Sequence, residues 1–65
     1  MITLADLLFV VNDSAVVQIL DNDGETLVEG EASDLQYTGD AEPYKDAIVM
    51  DVYSYNNMLV ICIEV

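Results

Sequence analysis

Histidine, tryptophan and arginine are missing from this 65-residue chain, cysteine, proline and phenylalanine occur once each, and Lys45 is the only basic side chain. Each shortage removes a class of explanation. Without histidine the commonest general base, metal ligand and nucleophile activator is gone. A lone Cys62 closes no internal disulfide and completes no zinc site. One cation against 13 acidic residues gives a formal net charge of −12, which argues against nucleic acid or an anionic membrane as a direct partner. The apolar run over residues 7–11 is far short of the ~20 residues that span a bilayer, and no basic residue precedes it. The expected location is cytoplasmic, where an unpaired cysteine stays reduced.

What is present is apolar material. Hydrophobic residues make up 54% of the chain, which separates it from acidic disordered tails and predicts one folded domain over residues 1–65. A chain of this size buries only about 60% of its unfolded surface. With no staple available, stability must come from packing, and a homodimer is one way to enlarge the core.

Thr3 followed by Asp6 has the spacing of a helix cap, and Leu4, Leu7 and Leu8 share one face of the short helix it would start. Asn12-Asp13-Ser14 reads as a turn, and residues 15–20 have the β-branched character of a strand. A four-residue loop at Asp21-Asn22-Asp23-Gly24 would set Val17 against Val28 and Ile19 against Thr26, with Glu29 outside opposite Val16. Gly30 would weaken that second strand or mark a bulge. Ser33 to Gln36 has capping-box spacing, for a helical turn ending near Gly39, and residues 38–46 form a polar crossing to a second hairpin.

That hairpin turns at Asn56-Asn57 with Tyr55 paired to Met58, a register that sets Ser54 against Leu59, Val52 against Ile61, Met50 against Ile63 and Ile48 against Val65 on one largely apolar side facing the core. The other side collects Val49, Asp51, Tyr53, Tyr55, Met58, Val60, Cys62 and Glu64. The expected fold is α+β, a short N-terminal helix packed on an antiparallel sheet of about four strands built from two hairpins.

Catalysis is not expected, since a carboxylate pair needs a cleft that so small a sheet hardly provides. No cofactor or metal is expected either. Asp21-Asn22-Asp23-Gly24-Glu25 has the oxygen ligands of a calcium loop, but its glycine stands fourth instead of sixth and Ala32 occupies the twelfth place, so a hairpin turn is the better account. Cys62 beside Asp51 is an ordinary strand residue, not a reactive thiol.

The pattern with most functional content is acidic. Asp21, Asp23, Glu25, Glu29, Glu31, Asp34, Asp40 and Glu42 crowd the middle of the chain with Tyr37 and Tyr44 among them. If the second strand is an edge, Glu29 and Glu31 stand about 7 Å apart on one face, a spacing comparable to phosphates along a nucleic-acid strand. Such a row suits a Lys/Arg groove. It equally serves solubility and guards an edge against aggregation.

The order of Ile2-Thr3-Leu4-Ala5-Asp6-Leu7-Leu8, the Val16-Val17-Gln18-Ile19-Leu20-Asp21 strand, an Asp-Gly turn, an acidic strand and a closing apolar hairpin resembles small acidic proteins of phages and mobile elements. The resemblance implies an anti-CRISPR or other anti-defence inhibitor that imitates nucleic acid and blocks a basic groove of a nuclease complex. That group shares no site motif, so no residue role is carried over. Three readings follow: an acidic binding module for a basic protein, an assembly protein that oligomerises through Val49, Tyr53, Tyr55, Met58, Val60 and Cys62, and a halophilic chain whose acids need no partner.

Overall fold

The fold is described from a computed structural model covering residues 1–37 and 39–65, without the side chain of Tyr37. Thr3 starts the first helix, α1 (Leu4–Val10), through a reciprocal cap: its hydroxyl accepts from the Asp6 amide at 3.2 Å, and the Asp6 carboxylate accepts from the Thr3 amide at 3.4 Å. Leu4 and Leu8 fall on the buried face and Leu7 is half-buried, as their spacing predicts. The helix stops at Val11, whose backbone is extended, and the Asn12 side chain then accepts from the Ser14 amide at 2.8 Å to fix the turn.

Four strands follow: β1 (Val16–Leu20), β2 (Thr26–Glu31), β3 (Ile48–Tyr55) and β4 (Met58–Glu64), in the spatial order β2-β1-β4-β3. The α+β class and the two antiparallel hairpins are as expected. The hairpins join, however, through a parallel pair, with Val17 beside Leu59 and Ile19 beside Ile61, so the sheet is mixed rather than wholly antiparallel. Parallel pairing requires the chain to cross the sheet between the hairpins. The crossing runs through α2 (Ala32–Tyr37) and a short 3-10 turn, Glu42–Tyr44.

All of this crossing lies on one face. Val17, Ile19, Ile61 and Ile63 point to that face and are fully buried against Leu4, Leu8, Leu35 and Ala41. Each such aliphatic side chain contributes about 1.5–3 kcal/mol relative to exposure. α2 begins one residue before Ser33, so the expected capping box does not form. Its first amides instead donate to backbone carbonyls of the connection between α1 and β1, Ala32 N–H to Ala15 O at 2.9 Å and Ser33 N–H to Asp13 O at 3.2 Å.

Two registers differ from expectation. In the first hairpin Ile19 faces Val28 and Gln18 faces Glu29, because Gly24, at φ 86°, shortens the loop and an irregularity at Leu27 adds one further step. The bulge is therefore at Leu27 and not at Gly30. In the second hairpin the pairs from Tyr55↔Met58 to Asp51↔Cys62 stand as predicted, but a bulge at Met50 then sets Val49 against Ile63 and Ile48 against Glu64. Met50 is 63% exposed instead of buried, and Val49 packs on the core. Among the described residues no helix is long and apolar enough to cross a membrane.

Candidate functional site

The helices cover one face of the sheet, and the opposite face is bare. Register alternation places Val16, Gln18 and Leu20 of β1, Thr26, Glu29 and Glu31 of β2, Met58, Val60 and Cys62 of β4, and Asp51, Tyr53 and Tyr55 of β3 on this side. Val60 is 1% exposed although it lies outside the core cluster, because neighbouring strands crowd it. Gln18 ties the middle of the face together, its amide donating to Glu29 Oε1 at 3.0 Å and to Thr26 Oγ1 at 3.2 Å. Tyr53 and Tyr55 remain 44% and 61% exposed.

β2 is an edge strand, so Glu29 and Glu31 do line one margin of the bare face. The parallel β1-β4 pair brings the first hairpin's turn beside the start of β3 and the end of β4, and Val65 N–H donates to Asn22 Oδ1 at 3.1 Å. A depression of about 390 Å³ opens there, floored by Leu20 and Cys62 and rimmed by Asp21, Asp51, Tyr53 and Glu64. Asp51 and Glu64 were not among the expected partner-binding residues. The sequence placed both on the mixed face, but only the parallel junction brings them to the Asp21 turn.

The expected acidic row is therefore divided. Asp21 spends part of its charge on the turn itself, since Oδ1 accepts from the Asp23 amide at 2.8 Å and the Glu25 amide at 3.0 Å, an arrangement that accounts for the turn as a hairpin. Asp23 and Glu25 are exposed at that tip. Asp34 lies on α2, and Asp40 and Glu42 on the crossing, so these three belong to the helical side and do not join Glu29 and Glu31. Tyr44 is half-buried against the core, a correction to its expected place at an interface, because the turn at Pro43 directs it inward. The Tyr37 side chain lies outside the described residues.

Lys45 also sits on the helical side. Its ammonium meets Glu42 Oε1 at 2.7 Å, and this hydrogen bond, with the carboxylate charge, holds its pKa above the ordinary lysine value. It borders a second depression, of about 430 Å³, between Leu8 and Phe9 of α1 and Leu35 and Gln36 of α2. Gln36 is committed there to the Leu8 carbonyl at 2.7 Å.

Of the expected oligomer face, Tyr53, Tyr55, Met58, Val60 and Cys62 do come together, and Val49 leaves it for the core side because of the Met50 bulge. No group of three or more potential metal ligands occurs among the described residues. No known family, curated protein or solved structure matches the chain.

Proposed function

We propose that this protein is a stoichiometric binding module whose bare sheet face receives a basic protein surface. The observation that carries the reading is the company of acids and tyrosines on an uncovered face that has no basic side chain. Glu29, Glu31, Asp51 and Glu64 share one uncovered face with Tyr53 and Tyr55, while the single cation is on the helical side, bound to Glu42. Carboxylates along β2 are about 7 Å apart, which suits Lys or Arg side chains that otherwise hold phosphates. Tyrosines beside them add contact area and cation–π attraction. A groove of a nucleic-acid-binding nuclease complex has this chemistry, and the resemblance to anti-defence proteins leads in the same direction.

Oligomerisation through the bare face is the weaker reading. Two copies placed face to face would set Glu29, Glu31 and Asp51 against like charges in a desolvating interface.

The test is affinity capture from host lysate, washed through a salt series, followed by binding measurements on the recovered protein. A basic nucleic-acid-binding protein should be retained at low salt and released as salt rises. The double variant Glu29→Lys/Glu31→Lys should weaken that complex by about a hundredfold, the scale of losing two charge-assisted contacts. Recovery of no basic partner at low salt defeats the proposal.

A further inference from the structure

We infer that the basic partner is held by strand addition: an extended segment of it pairs antiparallel with the outer edge of β2, setting lysine or arginine at alternate positions opposite Glu29 and Glu31. This mode of contact rests on the basic-partner reading above and adds a backbone component to it. β2 is the outermost strand on its side, with no described strand beyond it. The outer edge of β3 is less open, because Val49 N–H donates to Ile2 O at 2.9 Å and the Val52 amide donates to the Asp51 carboxylate at 2.9 Å.

The direction of the backbone groups along β2 follows from the bonds at the two ends of the hairpin. Asp21 N–H donates to Glu25 O at 3.0 Å and Ala32 N–H to Ala15 O at 2.9 Å. Bonded pairs alternate with unbonded ones in an antiparallel ladder, so between those ends Ile19 bonds Val28 and Val17 bonds Gly30. Glu29 and Glu31 therefore direct their N–H and C=O groups away from β1. Among the described residues no side chain takes either amide. The same two residues project their carboxylates on the bare face, where Glu29 Oε1 accepts from Gln18 at 3.0 Å. Backbone and charge are thus offered together, and an edge with free outward groups is a template for another strand.

Charge selects the occupant. Each side chain of an added antiparallel strand stands directly opposite one of β2, where opposite charges attract and like charges repel. An acidic strand, including one from a second copy carrying −12, is turned away. A strand with cations at every second position instead meets both carboxylates at once, since alternate residues share one face. Its intervening positions lie beside Val28 and Gly30, both half-buried, and take small or uncharged side chains. Antiparallel pairing is the slightly stronger arrangement. The edge alone is a small contact, but it continues onto the bare face, whose margin Glu29 and Glu31 form.

NMR titration with synthetic peptides of β2's length, six residues, in which arginine alternates with threonine, tests this mode. One peptide is unmodified, a second is N-methylated at its arginine amides, and a third at its threonine amides. All carry the same charge. The arginine amides are the ones that bond Glu29 and Glu31, so the second peptide should bind at least about tenfold more weakly than the first, the scale of two lost backbone hydrogen bonds. The third should bind about as well as the first. The unmodified peptide should slow hydrogen exchange at Glu29 and Glu31 and leave Val28 and Gly30, already bonded to β1, unchanged. Glu29→Gln, which keeps the outward amide, should weaken binding less than Glu29→Pro, which removes it at a position where an edge strand tolerates proline. Should the proline variant fail to fold, the peptide comparison on the unsubstituted chain decides. Equal binding of the two methylated peptides overturns strand addition and leaves the acidic face as the partner's contact. Binding of none of the peptides at low salt overturns it too, and the lysate capture then decides the basic-partner reading by itself.

Discussion

Single residues in this chain divide by which side of the sheet they reach, and their substitution costs should divide the same way. Ile61 is fully buried between the two hairpins and the helices, whereas Val52, its partner on β3, is 41% exposed at the edge. Ile61→Ala should cost about 2–5 kcal/mol, through lost transfer energy and the cavity left behind. For a domain whose whole stability is of order 5 kcal/mol, that is enough to leave much of it unfolded. Val52→Ala should cost under about 1 kcal/mol. Urea denaturation followed by circular dichroism checks both, and equal costs would mean that the core is misplaced. The burial of Leu4, Leu8, Ile61 and Ile63 was legible in the sequence, because each follows from a periodicity. Tyr44 was not legible. Its neighbours are polar, and only the 3-10 turn around Pro43 decides that its ring packs inward.

Turns decide the elements. The second hairpin was legible from Asn56-Asn57 down to Asp51 because a two-residue loop with positive φ at both positions fixes the register with no freedom left. That control ends at the Met50 bulge, and a shift of one step sends Val49 to the core face and Met50 to solvent. The first hairpin contains two such steps, at the Gly24 loop and at Leu27. Their effects on side-chain direction cancel, which is why Glu29 still points outward even though it faces Gln18 and not Val16. The parallel junction of β1 and β4 had no local signal, since it depends on which hairpin edges meet. A test belongs at this scale. Asn57, at φ 63°, should accept glycine with stability unchanged or raised by up to about 1 kcal/mol, while Asn57→Val should lose about 1–2 kcal/mol for a β-branched residue in the left-handed region. Thermal unfolding of the two variants measures the difference, and a valine variant as stable as the glycine one would rule out this turn geometry.

At the scale of the whole molecule, charge works against compactness. The chain measures 25 × 24 × 19 Å, and the Debye length is about 30 Å at 0.01 M salt but about 3 Å at 1 M. At low ionic strength every carboxylate therefore senses all the others, and folding must hold a charge of −12 inside one screening length. At high ionic strength only immediate neighbours interact. The folded state should gain stability as salt is added, and a gain of about 1 kcal/mol corresponds to a rise in Tm of roughly 4–8 °C for a domain of this size. Differential scanning calorimetry from 0.01 to 1 M NaCl, at one low protein concentration, measures this. A chain folded at 0.01 M whose Tm rises with salt fits acids kept for recognition on a core that stands unaided. A chain that folds only near molar salt would transfer the explanation of the acids to a saline environment and leave the basic-partner proposal without its main support. A Tm indifferent to salt would mean that the carboxylates are neutralised locally, and the distribution found here, with one cation on the far side of the sheet from Glu29, Glu31 and Asp51, gives no means for that.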